Sequence, residues 1–382
     1  MRAFSINRIP RIVLEQGIAA DTGSKVTSLA GKGRNVLLVA DPALRELGIT
    51  DIVSTSLIEA GHDVLAFEEI KSDPTESQIQ TAVTLARAQN RNAVVCLGGG
   101  SAMDAGKLIG SLINGRSAVI DHRLVAKPLP RSRPPIVCLP TTAGTGSEAT
   151  SVSVVSNDEG NKYWYWGPEL KSDLVLLDPE LTVGLPSSIT AASGVDAVVH
   201  AMEAETNQGR QVPNQTYTLE AIRLGSSHLR QSVAVPNDLT ARSGMLLAAT
   251  YGGISIDNAG TGIAHNIAHA IGSLVPIHHG RAVAIAMAAT LQWNIDGDID
   301  RYRAVASAFG SEGPDRLASD FEQFIHDLGI RTNLAEEFPA LTAEDVAGKM
   351  AAPENKAMRR ANARVMGEED LLPLARMALV FT

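Results

Sequence analysis

From residue 35 onward the chain alternates short apolar runs with longer stretches whose apolar positions recur at helical spacing. NVLLVAD (35–41) is short, apolar and rich in β-branched residues, and predicts a buried strand. Helical patterning follows over 42–61, ending at Gly61, and VLAFEEI (64–70) predicts a second strand. The spacing over 72–90 predicts a helix with Thr75 as N-cap and Ile79, Ala82, Val83, Leu85 and Ala86 on its apolar face. AVVCL (93–97) predicts a third strand, 101–113 a helix, and PIVCLP (135–140) a fourth strand. Strands alternating with helices imply a parallel sheet covered by helices. Past about residue 185 strand signals become scarce, and Ala-rich helical patterns dominate, as in 187–207 and 240–257. The expected organisation is an α/β domain over 1–185 and an all-α domain over 186–382. The boundary falls at Leu185–Ser188, where Pro186 precedes good N-cap residues. No internal repeat or low-complexity linker interrupts the chain.

Length agrees with two domains: 382 residues accommodate two at roughly 100–200 residues each. A net charge of −9 argues against a nucleic-acid partner, because phosphate-backbone binders usually carry basic patches. The first residues have no apolar core of signal-peptide length, and no run of ~18 apolar residues suggests a membrane span. The two cysteines, Cys96 and Cys138, sit in apolar strand-like runs, which fits a reduced compartment. These features together predict a soluble cytoplasmic protein.

Glycine is concentrated where chemistry is expected. GGGSAMDAGK (98–107) follows a strand and opens a helix. Gly98, Gly99 and Gly100 let backbone approach a ligand closely, and the amides at the helix start make an anion site suited to a pyrophosphate. The spacing is neither G-x-G-x-x-G nor a Walker A loop, and a tight strand–helix turn would also use it. Asp41 closes the first strand. An acidic group there can accept hydrogen bonds from ribose hydroxyls and repel a 2′-phosphate, favouring NAD over NADP, although Asp also caps helices. PTTAGTGSEAT (140–150) is a second loop of small and hydroxylated residues after a strand, a candidate second wall for a nucleotide.

Four of the nine histidines fall within HNIAHAIGSLVPIHHG (265–280). His265 and His269 are four apart and share a helical face, with Gly272 able to end that helix. His278 and His279 follow Pro276. GVDAVVHAMEA (194–204) carries a second such pair, Asp196 and His200. Aspartate oxygen with neutral imidazole suits a divalent ion such as Fe²⁺ or Zn²⁺. Spacing alone leaves open which four of Asp196, His200, His265, His269, His278 and His279 bind.

GGGSAMDAGK, PTTAGTGSE, DPELT (178–182), GVDAVVHAMEA and H-x3-H-x9-HG, in this order and over nearly the full chain, resemble the motifs of the iron-containing (group III) alcohol dehydrogenase family. The resemblance implies a dehydroquinate synthase-like architecture: a nucleotide-binding α/β domain with a parallel sheet, then a helical domain. It implies Asp196, His200, His265 and His279 as ligands of an iron ion, with zinc the alternative, and His269 as a catalytic residue near the substrate. His278 becomes a surface-facing neighbour. It assigns Asp41, Gly98, Gly99, Gly100, Ser101, Asp104, Thr141, Thr142 and Thr145 to NAD, with Lys162 and Leu181 at the nicotinamide end. The implied reaction is reversible hydride transfer between a small alcohol and NAD. A homodimer or larger homo-oligomer is expected, with FSINRIPRIVLEQG (4–17) a candidate pairing segment.

Three features depart from the family pattern. Asp73-Pro74-Thr75 stands where Asn-Pro-Thr is usual, Asn362-Ala363-Arg364 where Asn-Pro-Arg is usual, and KYWYWGPEL (162–170) is unusually aromatic. That stretch fits a pocket wall or plain packing. The competing readings are a glycerol-dehydrogenase-like zinc polyol dehydrogenase and a non-catalytic nucleotide-binding protein. A dehydroquinate-synthase-like lyase would need a basic cluster that the helical half lacks, and a metal-free maleylacetate reductase would not keep this ligand set.

Overall fold

Apolar runs of four to six residues, closed by glycine, proline or polar turns, set the sheet. The structure, a computed structural model, describes residues 4–70 and 72–381. It comprises two compact units. One holds Arg8–Thr142 and Ser147–Gly184; the other holds residues 4–7, Ala143–Gly146 and Leu185 onward.

In the first unit the strands are β1 (Arg11–Leu14), β2 (Asn35–Ala40), β3 (Asp63–Phe67), β4 (Ala93–Gly98), β5 (Ile136–Pro140), β6 (Val152–Ser156), β7 (Lys162–Trp166) and β8 (Leu174–Leu177). Six form one parallel sheet in the order β1-β8-β5-β4-β2-β3, and β6 and β7 make a separate antiparallel hairpin. The central strands are buried on both faces, as continuous apolar runs require in a parallel sheet. Cys96 and Cys138 are register partners on β4 and β5, both fully buried. The helices of this unit are α1 (Thr22–Ala30), α2 (Ala43–Glu46), α3 (Ile49–Glu59), α4 (Glu76–Ala88) and α5 (Gly100–Leu112).

The helical expectation over 42–61 resolves into two pieces, because Gly48 takes φ 72 between α2 and α3. Likewise the second strand stops at Phe67, short of Ile70, while the following helix begins at Glu76, directly after the expected cap. Thr75 is its N-cap, in a reciprocal capping box with Gln78. Of the segment 4–17, Arg11–Leu14 forms the sheet's edge strand against β8. Aromatic residues of the hairpin are largely used in packing. The Arg123 guanidinium lies 4.4 Å over the Tyr163 ring, Tyr165 is buried with its hydroxyl on Glu76, and Trp164 stacks on Trp166.

The second unit is helical: α6 (Ser187–Thr206), α7 (Gln215–Ala234), α8 (Leu239–Ala259), α9 (Ile263–Gly272), α10 (His279–Gly297) and shorter helices through Leu371–Val380. Helix α6 is buried from Thr190 to Thr206 and is rich in Ala and Val, as a helix packed on all sides requires. Its acidic and imidazole groups are exceptions that need partners. The histidine-rich stretch folds as expected, with α9 ending at Gly272 and α10 opening at His279.

Candidate metal centre

Three helices of the second unit supply the centre. Asp196 and His200 lie one turn apart on α6, His265 in the first turn of α9, and His279 at the start of α10. Asp196 Oδ1 stands 3.3 Å from His265 Nε2, 3.8 Å from His279 Nε2 and 3.8 Å from His200 Nε2. One ligand atom from each of Asp196, His265 and His279 falls within 4.8 Å of the others; His200 is not in that group, and its ring stacks on His265 at 4.5 Å. Asp196 Oδ1 and His265 Nε2 are buried without a hydrogen-bond partner. Buried polar atoms of this kind are normally satisfied. A divalent ion accepting both satisfies them, and one carboxylate with three imidazoles is a donor set that iron or zinc accepts. The residues therefore fit the implied metal. His269 is partly buried, its ring 5.2 Å from that of His279, and His278 is exposed.

Close helix packing brings these groups together. A Cβ on Gly280 would lie 2.2 Å from the Ala192 carbonyl oxygen and 3.3 Å from Asp196 Cβ, so α10 meets α6 backbone to backbone. Gly280→Ala is expected to push the helices apart, at an overpacking cost of about 1–3 kcal/mol. It should also weaken zinc binding severalfold in a competitive chelator titration. Unchanged affinity would mean that this approach does not set the Asp196–His279 distance.

Electrostatics divide these side chains. Burial disfavours the Asp196 charge, but His200, His279 and His265 outweigh it and hold the carboxyl well below its usual range. Burial lowers His200 to about 4 against the pull of Asp196. His265 also loses solvation, yet Glu203 and Asp196 push it up to about 9. Near neutral pH, His200 is thus neutral and ready to bind, whereas His265 must lose a proton to the incoming ion. Apparent zinc affinity is expected to rise about tenfold per pH unit as pH climbs toward about 9, then level off. Chelator competition across that range checks this; a flat profile would contradict it.

Glu203 is a further residue of the centre, outside the set expected from sequence. It accepts from His265 Nδ1 at 2.6 Å and from the backbone amides of Gly262 and Ala264, each at 2.8 Å. Asp196, His200 and Glu203 follow an i, i+4, i+7 stripe on α6, the signal that marks it. Asn362, inside the Asn-Ala-Arg departure, accepts from Ile263 N at 3.1 Å.

The nucleotide-loop residues gather at the carboxyl ends of β2 and β4, where the strand order reverses direction. Gly98 takes φ 145, and a Cβ there would sit 2.8 Å from Ala102 Cβ and 3.3 Å from Asp41 Cβ. Gly99 precedes α5 against Thr142, Gly100 and Ser101 open that helix, and Thr141 N donates to Gly98 O. Asp41 Oδ1 accepts from Ala43 N, a capping contact. Several assigned residues also carry structural contacts. Asp104 accepts from Ser147 Oγ and from Val154 N at 3.0 Å. Leu181 packs in the apolar core. Asp178 of DPELT accepts from the amides of Gly17, Ala19 and Glu180. Lys162 Nζ pairs with Asp73 at 2.7 Å, and Asp73 N donates to Ser101 Oγ, so the departure at residue 73 adds an ion pair beside the loop. Thr145 belongs to the segment Ala143–Gly146 grouped with the helical unit.

Known proteins match along the whole chain. The family model for iron-containing alcohol dehydrogenases matches residues 10–179, and the model for that family's C-terminal region matches 190–379. The chain is 35% identical over 315 residues to a choline dehydrogenase of Bacillus subtilis (strain 168), covering 81% of this chain and 78% of that protein. It is 28% identical over 382 residues to an NAD-dependent methanol dehydrogenase of Bacillus methanolicus, covering 97% and 98%. A crystal structure of a 1,3-propanediol oxidoreductase aligns with 99% of this chain and 100% of that one, with a TM-score of 0.90 and 27% identity.

Proposed function

The chain belongs to the iron-containing alcohol dehydrogenase family, and on that footing we propose that it transfers hydride reversibly between a small alcohol and NAD. Residues 1–185 act as the nucleotide-binding domain, and 186–382 as the domain that holds the ion. Asp196, His200, His265 and His279 hold one divalent iron ion. The observation carrying this reading is the convergence of Asp196, His265 and His279 ligand atoms from three helices, two of those atoms buried, without a hydrogen bond and 3.3 Å from each other.

A divalent ion held there supplies Lewis acidity toward charge developing on the substrate oxygen. The chain's own groups do the rest. His269, beside the ligand cluster and partly open to solvent, takes the alcohol proton outward, and returns one when the aldehyde or ketone is reduced. The Gly98–Ser101 loop and the first amides of α5 hold the cofactor pyrophosphate, while Asp41 receives the ribose hydroxyls. Thr141, Thr142 and Thr145 add hydroxyl contacts, and Lys162 and Leu181 flank the nicotinamide end. The protein is a cytoplasmic homodimer or larger homo-oligomer. Among the described residues no helix is long and apolar enough to cross a membrane.

Protein purified without oxygen, assayed against a panel of alcohols with NAD and analysed for metal, tests the reading. Alcohol-dependent formation of reduced nicotinamide with bound iron is the expected result. Cofactor binding without turnover on any alcohol would favour a non-catalytic nucleotide-binding protein. Zinc with a preference for polyols would favour the glycerol-dehydrogenase-like alternative.

A further inference from the structure

We infer that Glu203 and Asn362 form a positioning pair that fixes the orientation and tautomer of His265, so that Nε2 faces the ion. The inference rests on the metal reading above and extends it to residues that bind no metal. The first turn of α9 has amide groups with no partner inside the helix. Glu203 and Asn362 take three of them: Gly262 and Ala264 donate to the two Glu203 oxygens, and Ile263 donates to Asn362 Oδ1. A carboxylate at a helix N-terminus is favoured by the helix dipole. Glu203 Oε2 also accepts from His265 Nδ1, so the residue that caps α9 also sets the ligand's ring. Metal-bound histidines commonly direct their second nitrogen to such a carboxylate.

The pair ties together all three ligand-bearing helices. Glu203 belongs to α6, which carries Asp196 and His200. Asn362 Nδ2 donates to Asn294 Oδ1 on α10 and to the Arg364 carbonyl, both at 2.9 Å. Arg364 in turn lies 4.2 Å over the Trp293 ring of α10 and donates to the Trp293 carbonyl. Glu203 and Asn362 are themselves buried, so neither has water as a substitute partner.

Glutamine cannot replace Glu203. Three donors converge on the carboxylate, and an amide offers one acceptor oxygen, so its NH₂ must face a donor or reverse the His265 tautomer. Glu203→Gln is expected to weaken zinc and cobalt binding roughly 10–100-fold, the range for loss of a partner behind a ligand. It should also alter the visible absorption spectrum of the cobalt-saturated protein. Asn362→Ala should weaken binding less, because the Nδ1 contact survives. The apo forms should keep wild-type circular dichroism.

Two controls separate the possible failures. Asp196→Asn should abolish tight binding. If it binds as well as wild type, the metal reading fails and this inference falls with it. If Asp196→Asn loses the metal while Glu203→Gln keeps wild-type affinity and spectrum, the positioning role alone is overturned. Should Glu203→Gln not fold, nitrogen-15 resonances of the zinc-loaded wild type decide. A proton on His265 Nδ1 with zinc on Nε2 supports the inference, and the reverse assignment overturns it.

Discussion

Replacing His265 with Ala is expected to abolish both ion retention and turnover, whereas His269→Ala keeps the ion and loses rate. His265 sits at the middle of the cluster. Its Nε2 is 3.3 Å from Asp196 Oδ1, its ring stacks on His200, and its Nδ1 is held by Glu203. Its loss removes a ligand and also leaves the Glu203 carboxylate buried with one donor fewer, so affinity should fall well beyond the roughly 10–100-fold that losing a supporting partner costs. His269 is one turn along α9, its ring 6.5 Å from that of His265, whereas the His200 ring stacks on His265 at 4.5 Å. Its removal should leave metal content near wild type and lower kcat by about a hundredfold or more, the scale of general acid–base assistance. Metal per chain after gel filtration, beside kcat for the same sample, checks both. Equal metal loss in the two variants would refute the division of roles.

The second large effect falls on stability. Lys107 is fully buried in α5, and its ammonium donates to the carbonyls of Ser147 and Val152 and to Thr150 Oγ1, with Asp104 Oδ1 at 3.5 Å. Lys107→Met keeps the apolar stem and removes the charge. The carbonyl oxygens and the Asp104 carboxylate that face the ammonium then lose that cation inside the protein, although Asp104 keeps Ser147 Oγ and Val154 N as donors. Removing one partner of a buried charged network typically costs about 3–5 kcal/mol. In a unit of this size that lowers the thermal midpoint on the order of 10 °C. Differential scanning calorimetry should show the change in the transition of the α/β unit. A midpoint within a degree or so of wild type would mean that the ammonium is replaceable.

The legible parts of the fold were those whose pattern runs long enough to repeat. β2, β4 and β5 are five- or six-residue apolar runs between clear turns, and α6 and α8 are Ala-rich stretches of about twenty residues. β1 and β8 have four residues each, too few for a period, and they become strands by pairing with one another across the sequence. The break between α2 and α3 depends on Gly48 taking a left-handed conformation that its neighbours do not announce. At the centre, the pairs Asp196/His200 and His265/His269 were visible because helical spacing is local. Excluding His269 from the convergent group and placing His279 beside Asp196 required α10 to dock on α6 through Gly280. Glu203 lay within reach of the same spacing argument. Asn362 did not, since it meets α9 across 99 residues of chain. Lys107 and Asp104 read as parts of a phosphate loop, but their contacts come from the hairpin region that follows, which no short window contains.

The placement of sulfur bears on how the enzyme would respond to air. Both thiols are sealed between neighbouring strands, and Cys96 together with burial pushes the Cys138 thiol up, away from its reactive anionic form. Aerobic inactivation would therefore report oxidation of ferrous iron and leave cysteine intact. Activity lost on the bench should return after anaerobic reloading with ferrous salt, with no reductant for disulfides required.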